Sequence, residues 1–499
     1  MSAPREPAIA VIGAGMSGIC MAITLLRAGF RDVTIFEKSD RFGGTWRENT
    51  YPGLTCDVPS RFYQFRFAKN PDWSQFFAPG AEIEEYFTRV AHEYGLPSIT
   101  RFGAEVCGAE FANGRWTVTT AEGARERYDF VLCATGILHH PRTPDLPGLD
   151  DFAGAAFHSA RWDHGIELTG KRVGVLGTGS TGVQIVTDLA GKAGRLTLFQ
   201  RTAQWVAPLP NGRYSRLTRA AHRRFPVLDE LGYAVTHRIF EFLMGALIEP
   251  GPRREMVAGF CRANLRTVRD PALRAALTPE YEPMCKRLVI SGGFYRAVQR
   301  PDVAVVTSAV DHLVPRGVVT ADGRVHELDV LVLATGFDAH AFMRPMGIVG
   351  ADGRTLDQAW ADGPQAFETV ALPGFPNMFL LIGPHSPVGN YPLTLIAETQ
   401  AEHILGWIRR WCAGEFDTVE PTEAATERYY ARLRAALPKT VWATGCQSWY
   451  LGKDGKPELW PWTPARHRAL MQRTPDPANY RFATAPGGPP ATAGRASAR

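Results

Sequence analysis

The stretch Ile9-Ala-Val-Ile-Gly13-Ala-Gly15-Met-Ser-Gly18 decides the fold. Four apolar residues make a buried strand, three glycines follow at G-x-G-x-x-G spacing, and an apolar helix pattern takes over. The first glycine turns the chain, the second lets the backbone approach a pyrophosphate, and the third lets helix and strand pack closely. The start of that helix presents free N–H groups to the phosphate, which draws Ser17 into the same site. A second strand, Val33-Thr-Ile-Phe-Glu37, places an acid 24 residues after Gly13 (37 − 13). An acid there accepts hydrogen bonds from ribose hydroxyls.

The pattern recurs as Arg172-Val-Gly-Val-Leu-Gly177-Thr178-Gly179-Ser180-Thr-Gly182, followed by Leu196-Thr-Leu-Phe-Gln200. Here the place 24 residues after the first glycine (177 + 24) is Arg201. Carboxylate repels a 2′-phosphate and guanidinium pairs with it. The first fold is therefore expected to hold FAD and the second NADPH. Thr178, Ser180 and Gln184 fall at the second helix start, and Arg201, Thr202 and Lys286 are candidates for the 2′-phosphate. The plainer alternative for Arg201 is a solvated residue at a strand end.

Two further segments echo each other: Asp129-Phe-Val-Leu-Cys-Ala-Thr-Gly136 and Asp329-Val-Leu-Val-Leu-Ala-Thr-Gly336. They read as late strands of the two folds, where the chain leaves one domain for the other. The expected fold class is α/β, with two Rossmann-like dinucleotide-binding domains and a helical insertion. An FAD domain would run over 1–148 and resume over 337–482. An NADP domain would take 152–208 and 285–336, interrupted by helices over 210–284. The Gly-, Ala- and Pro-rich tail 483–499 is expected to be disordered.

Composition bounds the function. The chain has 499 residues, 45% hydrophobic and 21% charged, with 55 basic against 50 acidic side chains. A net charge of +5 over so many charges is no mark of nucleic-acid binding. None of the eight cysteines forms C-x-x-C or metal-ligand spacing. They read as reduced thiols in a cytoplasmic setting, which argues against the flavin disulfide reductases and leaves no metal site. Leu231–Ile248 is the most membrane-like segment, but it carries His237, Arg238 and Glu241, so no transmembrane helix is expected.

Three longer motifs carry a resemblance. Phe152-Ala-Gly154-Ala-Ala-Phe-His158-Ser-Ala-Arg-Trp162-Asp163 lies between the two nucleotide folds. Gly43-Gly44-Thr45-Trp46-Arg-Glu-Asn-Thr-Tyr51-Pro-Gly53-Leu-Thr-Cys-Asp57 follows the first fold, and Gly374-Phe-Pro-Asn-Met-Phe-Leu-Leu-Ile-Gly-Pro384 comes late. With both glycine fingerprints they resemble the Baeyer–Villiger monooxygenases, within the class B flavin monooxygenases, over about residues 8–465. Ser159 and Asp163 depart from the Thr and Pro of many members.

The resemblance implies that FAD, NADPH and O2 oxygenate a small ketone through a C4a-peroxyflavin, giving an ester or lactone. It implies that Arg287 stabilises the developing anion and that Asp57 positions Arg287 and contacts the cofactors. An arginine cannot titrate away at a working pH. Gly44, Thr45, Trp46 and Tyr63 match flavin-contacting places, Asn390 the isoalloxazine edge, and Val106 a place in the FAD site. His158 belongs, by resemblance, to a linker that governs domain motion, not to a catalytic base. Two alternatives stand at this point: an N- or S-oxygenating flavin monooxygenase, and a flavoprotein that only consumes NADPH or binds.

Overall fold

The computed structural model describes residues 5–387, 389 and 391–484. Two five-stranded parallel sheets organise it. In the first the spatial order is Met378–Leu380, Phe130–Cys133, Ile9–Ile12, Val33–Glu37, Thr100–Phe102. In the second it is Val303–Val306, Arg195–Phe199, Arg172–Leu176, Val330–Leu333, Ala155–His158. Ile9, Val11, Val173 and Val175 are fully buried, as strands covered by helices on both faces require. Each glycine fingerprint joins a central strand to its helix, Met16–Arg27 or Ser180–Leu189. The expected α/β class with two dinucleotide-binding folds is the class observed.

Each fold also carries a small antiparallel sheet that periodicity did not single out. Val106–Ala112, Arg115–Thr120 and Arg125–Tyr128 form one, joined by Gly347–Val349. Val310–Val314, Gly317–Thr320 and Val325–Glu327 form the other. The insertion is helical, over Arg216–Arg224, Val227–Ile248, Pro252–Leu265 and Pro271–Ala276. Val227–Ile248 is the one helix among the described residues long and apolar enough to cross a membrane. Here it lies on the surface, burying Tyr233, Met244 and Leu247 against the protein.

Three expectations change. The 152–163 motif is not simply a linker, because Ala155–His158 is the edge strand of the second sheet, parallel to Val330–Leu333. The tail does not begin at 483: Tyr480–Ala483 pairs with Thr418–Pro421, and the expected disorder over 485–499 lies outside the described residues, as does Asn390. Nor are all the thiols reduced. Cys285 and Cys446 form a disulfide, with Cα atoms 6.0 Å apart across 161 residues of sequence. Spacing could not reveal that pairing, because only the tertiary fold brings the two segments together.

That crosslink ties the segment before Lys286 and Arg287 to the C-terminal aromatic block. Closing so long a loop restricts the unfolded chain, so reduction should lower stability by about 2–4 kcal/mol. Denaturation of the oxidised protein, the reduced protein and Cys446→Ser should show the last two sharing a lower midpoint. Coincident curves for all three would refute a stabilising bond.

Candidate active site

Both fingerprints have the glycine geometry a dinucleotide demands. Gly13 has φ +105°, and a Cβ there would lie 2.6 Å from the Ala134 carbonyl oxygen. A Cβ on Gly18 would sit 1.8 Å from the Gly13 oxygen, so strand and helix could not pack. The second fold repeats both contacts, at 2.4 Å for Gly177 on Ala334 and 2.1 Å for Gly182 on Gly177. By contrast Gly179 has nothing within 4 Å of its missing side chain. That open cradle, at the start of the helix with Thr178 and Ser180, fits a pyrophosphate. Glu37 is 5% exposed and accepts from the N–H groups of Ala14 at 2.8 Å and Ser39 at 3.0 Å. Its carboxylate is thereby held at the strand end beside the Gly15–Ser17 turn, where a ribose would lie.

The motif from Gly43 to Asp57 connects three parts of the site. Gly44 abuts the first fingerprint: a Cβ there would lie 2.8 Å from the Cα of Gly15. Thr45 and Trp46 begin the short helix that follows. Trp46 Nε1 donates to the Tyr63 hydroxyl at 3.2 Å, their rings edge to face. Further along, the Tyr51 hydroxyl donates to Gln184 Oε1 at 2.9 Å, and Gln184 Nε2 donates to the Thr55 carbonyl at 2.9 Å. Gln184 thus joins the second fingerprint helix to this motif. Val106 is buried at the start of an antiparallel strand.

The motif ends at Asp57, which meets Arg287 across 230 residues of sequence. Arg287 Nε and Nη2 donate to the two Asp57 oxygens, each at 2.7 Å. Nη1 donates to the Gly389 carbonyl at 3.1 Å. The two side chains are 27% and 13% exposed, so the pair is partly desolvated yet reachable. Burial opposes the charge on Arg287, and the Asp57 carboxylate more than offsets it, raising the guanidinium's pKa. A bidentate carboxylate fixes the guanidinium plane as well as its charge.

Tyr450 is a member of this cluster that sequence reasoning missed. Its hydroxyl hydrogen-bonds Arg287. Burial pushes its pKa up to about 12 although the Arg287 charge pulls the other way, so it stays a neutral phenol. In sequence Tyr450 ends Cys446-Gln-Ser-Trp-Tyr450, where nothing local aims it at Arg287. The disulfide to Cys285, two residues before Arg287, brings that block to the site.

Arg201 and Lys286 also converge. Burial, then the charge of Arg201, lowers the pKa of Lys286, so the two cations stand near each other. Lys286 lies over the Tyr281 ring at 4.7 Å. The Tyr281 hydroxyl bonds Gln204 at 2.6 Å, and the Thr178 hydroxyl donates to the Thr202 carbonyl at 2.6 Å. The segments 201–204 and 281–287 are thus held together at the end of the second sheet.

His158 stands apart from this cluster. Its Nδ1 accepts from the Ala160 N–H at 3.0 Å, so the proton sits on Nε2, which donates to the Gly336 carbonyl at 3.0 Å. Burial keeps its pKa below the usual imidazole value. Both nitrogens are used, which leaves no base. The bond to Gly336 instead clips the 152–163 motif to the second passage between domains. Arg142 bonds the same carbonyl at 2.9 Å, and Asp338 N donates to the His140 carbonyl at 2.9 Å, so the two passages run together. Phe152 is buried, and a Cβ on Gly154 would collide with its ring. Trp162 packs edge to face on Phe157, and Asp163 accepts from the Gly165 N–H at 2.8 Å.

Comparison with known proteins agrees with this geometry. Residues 6–346 match the profile of the flavin-binding monooxygenase-like family. An uncharacterized monooxygenase of Mycobacterium bovis is 62% identical over 467 residues, 94% of each chain. A Baeyer–Villiger monooxygenase of Streptomyces coelicolor is 39% identical over 95% of this chain and 92% of its own. Among solved structures, cyclohexanone monooxygenase from Rhodococcus sp. Phi1 bound to NADP+ superposes with a TM-score of 0.85 at 30% identity, over 97% of this chain and 100% of its own.

Proposed function

The chain belongs to the flavin-binding monooxygenase-like family, and from that premise we propose that it is a Baeyer–Villiger monooxygenase acting on a small ketone. It is an FAD- and NADPH-dependent enzyme that takes one oxygen atom from O2 and inserts it beside the carbonyl, giving an ester or lactone. The observation that carries this reading is the Arg287–Asp57 pair, a fixed cation at the meeting point of both nucleotide folds.

Bound FAD, reduced by NADPH, supplies the activated oxygen. Gly13, Gly15, Gly18 and Glu37 would hold its adenosine diphosphate, with Gly44, Thr45, Trp46 and Tyr63 toward the flavin. Gly177, Gly179 and Gly182 would cradle the NADPH pyrophosphate, and Arg201, Thr202 and Lys286 its 2′-phosphate. Asp57 holds the Arg287 guanidinium in one plane. Arg287 then offers a positive charge where negative charge develops on oxygen, already oriented before the reaction begins. Tyr450 and the Gly389 carbonyl also hydrogen-bond Arg287 and restrict it further. Tyr63 and Tyr450, both buried beside Arg287, limit the water that reaches this corner, which favours transfer to substrate over loss as H2O2.

Purified protein should release FAD on acid precipitation. With NADPH and 18O2 it should turn cyclic ketones into lactones carrying one 18O. Sulfoxides or N-oxides as the only products, or H2O2 alone, would overturn the ketone reading while leaving the family assignment intact.

A further inference from the structure

The exposed apolar residues are concentrated in one place. Thirteen large hydrophobic side chains are exposed among the described residues, and eleven of them lie between 209 and 260, in and beside the helical insertion. On the helix Val227–Ile248, Val227, Leu231, Val235 and Ile239 recur every fourth residue and Phe242 follows, each more than half exposed. At 3.6 residues per turn these five span an arc about 120° wide and about 22 Å long. Tyr233, Met244 and Leu247 occupy the opposite, buried side. Solvated faces of water-soluble helices carry polar residues instead, and an apolar patch of this kind marks a surface that meets something.

The charges around it identify what. Residues 209–260 hold eight arginines and five acids. Asp229 is taken by Arg61 and His222, Glu230 by Lys69, Glu241 by Arg468 and Glu255 by Arg262. Arg213, Arg216, Arg224 and Arg238 are exposed and join no ion pair among the described residues. An apolar stripe bordered by free arginines is the pattern of a helix lying in the plane of a membrane interface, its cations among anionic headgroups. A second copy of this chain fits less well, since a two-fold contact would set these arginines against their own counterparts.

We propose that this face docks the enzyme on the surface of an anionic lipid bilayer, with the helix Val227–Ile248 lying in the interface and not across it. The helix also reaches toward the site. Its Glu241 accepts from the Tyr391 hydroxyl at 3.1 Å. A Cβ on Gly389 would lie 3.5 Å from Leu247, and the Gly389 carbonyl is the one that Arg287 holds. The docking face is therefore the outer side of a helix whose inner side adjoins the Arg287 cluster.

The test is vesicle flotation of the FAD-loaded enzyme, with phosphatidylcholine alone or mixed with phosphatidylglycerol. The unaltered protein should float with the anionic vesicles and be released by high salt. The triple variant Arg216→Gln/Arg224→Gln/Arg238→Gln should lose roughly a hundredfold in partition to them, and Leu231→Gln/Ile239→Gln roughly tenfold. All five side chains face solvent, so flavin content and NADPH oxidation without vesicles should be unchanged. Failure of the unaltered protein to float with either vesicle would overturn the proposal. So would light scattering that shows a dimer dissociated by the Leu231/Ile239 variant, because the face would then join two copies.

Discussion

Arg287→Ala should oxygenate ketones about 10²–10³ times more slowly while it continues to consume NADPH. The observation behind this is the bidentate contact to Asp57 at 2.7 Å on both oxygens, in a corner shared with Tyr450 and Gly389. A permanent charge held there acts only as negative charge develops on oxygen. Its loss should leave cofactor binding and reduction in place and divert the oxygen to H2O2. Lysine should rescue poorly, because an ammonium cannot match the carboxylate at two points. Asp57→Ala should impair the same step less, since it frees the guanidinium without removing its charge. The measurement is a ratio: lactone formed and H2O2 released per NADPH oxidised, beside the FAD content of each protein. If Arg287→Ala makes lactone at the original rate with the original coupling, Arg287 is a structural partner of Asp57 and nothing more. If it fails to retain FAD, the experiment is decided by Arg287→Lys, which keeps the charge and should keep the flavin.

What the sequence disclosed follows from the range of the forces involved. The two glycine fingerprints were legible because their constraint is local. Gly13 and Gly177 must take positive φ, and Gly18 and Gly182 must let a helix lie on a strand, all within ten residues. Arg201 drew notice for the same local reason, standing two residues past the strand Arg195–Phe199. Asp57 and Arg287 lie 230 residues apart, and only the motifs surrounding them brought the two to notice. Tyr450, Gly389 and the Cys285–Cys446 bond stayed hidden. Each depends on where the C-terminal block packs, and no period or spacing encodes that. The strand Ala155–His158 was concealed for another reason. Ala-Ala-Phe-His has neither alternation nor a run of β-branched residues, and its pairing comes from Val330–Leu333. The apolar stripe on Val227–Ile248 was visible as composition, but exposure alone separates a docking face from a core helix.

Arg201 and Lys286 set up the second large effect. If both meet the 2′-phosphate, Arg201→Ala should lower kcat/KM for NADPH by roughly ten- to a hundredfold, from the loss of a charge-assisted contact of about 1.5–3 kcal/mol. NADH, which lacks that phosphate, should lose little. The two cations do not act independently, because Arg201 already disfavours the charge on Lys286. Without Arg201, the Lys286 ammonium still meets the phosphate, so the single substitutions should understate the pair. The double variant Arg201→Ala/Lys286→Ala should therefore lose more than the product of its parents, reaching roughly a thousandfold. Four proteins suffice: unaltered, each single and the double, each with NADPH and NADH. The quantity to compare is the ratio of the two kcat/KM values, which cancels any general damage to folding or to hydride transfer. A ratio near one in the unaltered enzyme, or one that the double variant leaves unchanged, would place the 2′-phosphate elsewhere and return Arg201 to an ordinary solvated strand end.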